Sequence, residues 1–258
     1  MKPEGCGYQH TVDSVSFTAT VSLWLSGLVR VGLLRLGANR LTVRRMTDAT
    51  LTVSPSVSTV CKDVPSDIFF LTDSSEIISD EDFKKMKNFM KSVISKSLIG
   101  PDGVHVGVMQ FSTNHNLEFD LNEHHSKEEI MIAIDKMVQV KRGVRPGKAI
   151  SEVSGYFDAS RGGRPDVRQT LVMITAGKAK DEVKGPAEAL RAKGVMIYTI
   201  GVLEANFNQL QEISGSPDHV FNEENFDSLK ELDSKLALKF CDPRRGKSST
   251  RPSVLLRQ

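Results

Sequence analysis

The stretch Asp67–Met90, DIFFLTDSSEIISDEDFKKMKNFM, restricts the fold more than any other part of the chain. Asp67–Leu71 is a short run rich in Ile and Phe, which suits a strand covered on both faces. Thr72–Ser79 then places an Asp, three Ser and a Glu within eight residues. Phe83, Met86, Met90 and Val93 follow at helical spacing, and Phe89 widens the same stripe. Open α/β sheets hold their ligands in loops at the carboxyl ends of central strands. Asp73, Ser74 and Ser75 are therefore the first candidates for a functional site.

The alternation of strand and helix patterns continues along the chain. Val104–Phe111, Leu117–Leu121, Thr170–Thr175, Val195–Val202 and His219–Phe221 read as strands, the second of them as an edge. Lys127–Val138, Gly147–Phe157, Asp181–Lys193, Phe207–Ile213 and Phe226–Phe240 read as helices. Strands separated by helical patterns predict a mostly parallel sheet with helices on both faces. The right-handed crossover rule then leaves few topologies.

The flanks differ from this middle. Acidic residues prevail between Cys61 and Cys241, while both ends of the chain are basic. A formal net charge of +2 gives no mandate for nucleic acid. No apolar run is long and clean enough to span a bilayer. Residues 1–60 form an N-terminal segment of unknown structure. Phe17–Leu28 would serve as the apolar core of a signal peptide behind Lys2, but Glu4 and Asp13 and the lack of a small-residue cleavage site count against it. Thr47–Thr59 is rich in Ser, Thr and Val and reads as a linker. Residues 242–258 read as a basic, disordered tail.

Of three cysteines, Cys61 and Cys241 bracket the patterned region and Cys6 is left over. No zinc spacing or Cys-x-x-Cys occurs. Cys61–Cys241 reads as a disulfide closing one domain over 61–241, which would imply an oxidising compartment and contribute up to about 5 kcal/mol. Two unpaired thiols at the domain edges are the alternative.

The segment Asp73-Ser74-Ser75-Glu76-Ile77 resembles the Asp-x-Ser-x-Ser metal loop of a von Willebrand factor A domain. The runs RGGRPDVRQTLVMITAGKAKDEV, GPAEALRAKGVMIYTIGV and SPDHVFNEENFDSLKEL are similar to the A domains of the long alpha chains of collagen VI, of the alpha-4 type. The resemblance covers about Cys61 to Cys241. It implies a doubly wound, mostly parallel six-stranded sheet with one antiparallel edge strand. It also implies a secreted, non-enzymatic adhesion or assembly module of extracellular matrix, whose partners are other matrix proteins or collagen chains. A cytoplasmic scaffold from a truncated collagen-related gene is the alternative if no signal peptide functions. Oligomeric state is left open.

In that family a divalent cation, usually Mg²⁺, sits above the first-loop Asp and two Ser, a loop Thr and a turn Asp. Such hard oxygens suit a tight octahedral ion. Asp73 and Ser75 match two of these positions. Ile77, Val144 and Ala176 stand at the other three and carry no side-chain oxygen. The expectation is a vestigial site without a cofactor, and a buried Asp73 that needs a partner. Arg145 or Lys178, in the loops that lost their ligands, is expected to supply it.

Other motifs have plainer explanations. Gly143-x-x-x-Gly147-Lys148 is too short for a phosphate loop and lacks the following Ser or Thr. Glu123, His124 and His125 read as a solvated loop before a helix. Asp80, Glu81 and Asp82 suit the first turn of a helix. No Ser–His–Asp or Cys–His arrangement follows from spacing, and a phospho-receiver using Asp73 and Asp120 lacks support beyond the sheet itself.

Overall fold

The computed structural model describes residues 64–241, together with the backbone of an antiparallel pair of two-residue strands, β1 (Thr42–Val43) and β2 (Leu51–Thr52). The remaining expectations for residues 1–60 and for the tail lie outside the described residues. So do Cys6, Cys61 and the side chain of Cys241, and with them the disulfide.

Six strands form the sheet in the order β5-β4-β3-β6-β7-β8. They are β3 (Ser66–Asp73), β4 (Val104–Phe111), β5 (His115–Phe119), β6 (Arg168–Thr175), β7 (Met196–Val202) and β8 (Val220–Glu223). Only β5 runs antiparallel, on the edge beside β4. The others are parallel, with Ser66 of β3 opposite both Val104 and Arg168. This is the doubly wound sheet expected from the alternating patterns.

Each central strand divides its side chains between two cores, because successive residues point to opposite faces. Ile68, Phe70, Val172, Ile174, Tyr198 and Ile200 face one core, with residues of α1 (Asp80–Ser95), α2 (Lys127–Lys136) and α6 (Leu229–Cys241). Phe69, Leu71, Leu171, Met173 and Ile197 face the other, with residues of α3 (Pro146–Val153), α4 (Lys184–Ala192) and α5 (Phe207–Ser214). Gly107 permits one close approach: a Cβ there would lie 2.4 Å from the Phe69 ring.

At the amino ends of the strands, fully buried Asp67 is paired. Its carboxylate accepts from Arg164 Nε at 2.8 Å, Arg164 N at 2.6 Å and Gln169 Nε2 at 3.2 Å. The same guanidinium donates to Ser66 O and Gly103 O, both at 2.9 Å. One arginine thus ties the start of β3 to the loop before β4.

Several boundaries depart from expectation for local reasons. The helix expected over Gly147–Phe157 ends as α-helix at Val153 and tightens into a 3₁₀ turn, Ser154–Phe157. Ser and Gly favour the helix poorly there, and Phe157 turns into the core 6.0 Å from Phe69. The helix expected from Asp181 starts only at Lys184, because Asp181 is engaged elsewhere. The edge strand expected over Leu117–Leu121 pairs over His115–Phe119, with a register shift at Val108/Met109.

Candidate functional site

Asp73 is the last residue of β3, and the loop after it lies at the carboxyl ends of the strands. Phe111 O, at the end of β4, accepts from Ser74 N at 2.9 Å and from Ser74 Oγ at 3.3 Å, which fixes the chain direction. Asp73 Oδ1 then accepts from Ser75 N at 2.9 Å, a local side-chain turn typical of Asp. Asp73 Oδ2 accepts from Thr175 Oγ1 at 3.0 Å and Ala176 N at 3.1 Å, both from the end of β6. The carboxylate is completely buried and bridges two central strands.

Its partners are neutral donors. Arg145 and Lys178, the expected charge partners, are both exposed, and among the described residues neither forms an ion pair with Asp73. Three directed N–H and O–H groups, rather than a cationic side chain, engage the buried carboxylate.

Ile77, Val144 and Ala176, the positions expected to have lost their ligands, lie in the loops after β3, before α3 and after β6. Val144 and Ala176 are buried, while Ile77 is half exposed. Ile77 Cδ1 lies over Gly177, 2.7 Å from where a Cβ would be, and Val144 Cγ2 lies 3.7 Å from the same point. Ser75 Oγ is buried and has no hydrogen-bond partner among the described residues.

Four loops are laced together around this point. Lys141 N donates to Ser74 O at 2.8 Å, Glu76 N to Arg142 O at 3.2 Å, Arg145 N to Ser112 O at 3.0 Å and Lys180 N to Val144 O at 3.2 Å. Lys141 adopts a left-handed conformation, φ 53°, which non-glycine residues take sparingly. Gln139 Nε2 donates to Ser75 O at 3.0 Å and Ile78 O at 2.9 Å.

Helix α3 begins Arg145-Pro146 without a capping side chain of its own. Asp181 supplies the cap from the neighbouring loop, accepting from Gly147 N at 3.2 Å and Lys148 N at 2.9 Å. A Cβ on Gly147 would fall 1.8 Å from Glu182 O, so only glycine allows this approach. The N–H groups that a phosphate loop would offer are thereby taken by an internal carboxylate. Sequence reasoning missed Asp181 and Gln139 as organisers of the site. The uncapped start of α3 was the available signal for Asp181, because its free N–H groups require an acceptor. Gln139 left no comparable trace.

The remaining candidates do not converge. Glu129 accepts from the backbone N–H groups of His125 and Ser126, His124 packs on Phe119, and Asp120 accepts from Asn122 N. Among the described residues no group of three or more His, Cys, Asp or Glu is placed to hold a metal ion.

This sheet, with its carboxyl-end loops, defines a class: the chain belongs to the von Willebrand factor type A domain family, whose model matches residues 67–235. Within it, the chain is 48% identical over 184 residues to the collagen alpha-6(VI) chain of Homo sapiens and 50% identical over 181 residues to the collagen alpha-5(VI) chain of Mus musculus. These matches cover 71% and 70% of this chain but only 8% and 7% of the relatives. Matrilin-1 of Gallus gallus is 30% identical over 189 residues, with 71% and 38% covered. Among solved structures, proximal thread matrix protein 1 from the mussel byssus, with a zinc-occupied MIDAS motif, is similar at TM-score 0.67 and 28% identity, covering 69% of this chain and 48% of that one.

Proposed function

We propose that residues 61–241 form an extracellular matrix protein–protein interaction module, flanked by a separate segment at 1–60 and a basic tail at 242–258, and that it binds other matrix proteins or collagen chains without a metal ion. Kinship to collagen VI and matrilin supports the matrix assignment. Among the described residues no helix is long and apolar enough to cross a membrane.

The observation that carries the metal-free reading is the state of Asp73. Both its oxygens are engaged by Ser75, Thr175 and Ala176. Ile77 and Val144 carry no side-chain oxygen and place methyl groups 2.7 and 3.7 Å from a Cβ built on Gly177. Magnesium demands a near-octahedral oxygen shell, and the donor set, reduced to Asp73 and Ser75, does not fit it.

The module is not an enzyme in this reading. A recess of about 420 Å³ at the amino ends of β3 and β4 has Asp102 as the one ionisable residue in its lining. Kinship to collagen VI and matrilin is what supports the non-enzymatic reading.

The test is binding of the full chain to immobilised collagen VI by surface plasmon resonance, in EDTA and in Mg²⁺. Equal saturable binding in the two buffers is expected. Binding abolished by EDTA contradicts the metal-free reading, and none in either buffer contradicts collagen VI as partner.

A further inference from the structure

The rim of the same face carries cations that the fold does not use. Lys141, Arg142, Arg145, Lys178 and Lys180 are exposed there on the loops laced around Asp73, and Lys148 is exposed in the first turn of α3. Lys141 pairs with Asp80 at 2.6 Å. Among the described residues none of the others is in an ion pair. The acids of these loops do not neutralise them. Asp181 is turned onto the start of α3, Glu182 accepts from Gly185 N at 2.8 Å, and Glu76 is the further exposed carboxylate.

Apolar side chains lie among these cations. Ile77 is 50% exposed, Val138 79% and Val140 36%. The chain from Val138 to Arg142 runs beside the Ser74–Ile78 loop, held by the Gln139 and Lys141 hydrogen bonds and by a bridge between Ser75 and Arg142. Exposed apolar surface rimmed by charge marks an interaction site. The two kinds of side chain constrain the partner together. A sulfated sugar would meet the cations but leave Ile77, Val138 and Val140 uncovered. A purely apolar segment would leave the cations without complement.

We propose that this rim binds an acidic peptide segment of a partner protein, with apolar side chains interspersed among its carboxylates, and that Arg142, Arg145, Lys178 and Lys180 hold those carboxylates directly. The proposal rests on the metal-free reading above. Arginine forks suit paired carboxylate oxygens, and complementary charge sets specificity and approach rate.

Fluorescence anisotropy of the full chain with a labelled peptide of about twelve residues, alternating Glu with Leu or Ile, tests this. In EDTA the peptide is expected to bind saturably, and about tenfold more weakly between about 50 and 300 mM NaCl. The Glu→Gln peptide should not bind. The variant Arg142→Glu/Arg145→Glu/Lys178→Glu should lose binding by about a hundredfold while keeping its far-UV spectrum and urea midpoint; Lys235→Glu, on exposed α6 surface, should bind as the parent does. Three results overturn the assignment: the folded parent binding no peptide in either EDTA or Mg²⁺, the triple variant binding undiminished, or heparin binding the rim when the peptide does not. Peptide binding that appears only with Mg²⁺ overturns instead the metal-free reading beneath it.

Discussion

Among the described residues, buried Asp73 is held by neutral donors rather than by a cationic side chain. Its donors come from its own loop and from the end of β6, so the side chain also joins two strands. Asp73→Ala would leave those donors buried without an acceptor, and a loss of about 2–4 kcal/mol in urea unfolding is expected. Arg164 acts at the opposite end. Arg164→Ala strips buried Asp67 of its ion pair and should cost about 3–5 kcal/mol. Arg164→Lys should recover part of this, because lysine lacks the fork that also reaches Ser66 O and Gly103 O. His105 sits beside this pair, with Nε2 3.0 Å from Pro101 O. Burial pushes its imidazole below the ordinary histidine range, and the Arg164 guanidinium acts in the same direction. The unfolded chain therefore binds the proton more readily than the folded one. Stability from this group is complete above about pH 6.5 and is lost as pH falls from there through the folded value. Urea midpoints should fall over that window, and His105→Gln should flatten the fall.

At the scale of elements, the strands carry the fold. Phe69, Leu171 and Ile197 are buried in adjacent strands against one helix layer, and Ile200 faces the other. Each Ala substitution at these sites should cost roughly 2–5 kcal/mol, whereas Lys235→Ala on the exposed side of α6 should be near neutral. Equal tolerance at all five positions in urea unfolding would refute the packing described. These strands were legible in the sequence because runs such as Thr170–Thr175 are too apolar to lie anywhere but between two layers. The helix starts were less legible. The onset of α4 depends on Asp181, which leaves its own helix to cap α3. Such a contact between distant residues leaves no periodic trace in either segment. The donors on Asp73 were missed for a related reason: two of the three are main-chain N–H groups, which any sequence supplies.

For the molecule as a whole, the two poles of the sheet serve different ends. The amino-end pole is tied by Arg164 and Asp67. The carboxyl-end pole presents exposed cations and apolar side chains around buried Asp73. The family motif was legible because Asp73 and Ser75 match it; reading Ile77, Val144 and Ala176 as departures from it belongs to the proposal above. How the loops meet around those positions was not legible, because it depends on Ile77 folding across Gly177. The proposed Cys61–Cys241 disulfide belongs to this scale too. A peptide map of secreted protein under non-reducing conditions should recover the linked pair, and alkylation of both thiols in the native protein would exclude it.

The central claim is that this A domain works without an ion at Asp73. Isothermal titration of the full chain with Mg²⁺ and with Mn²⁺ tests it most directly. No saturable binding is expected, with binding regained when Ile77→Ser, Val144→Thr and Ala176→Asp are combined to restore the oxygen ligands. Saturable binding of either ion to the unaltered chain at millimolar affinity or tighter, abolished in folded Asp73→Ala, would contradict the account.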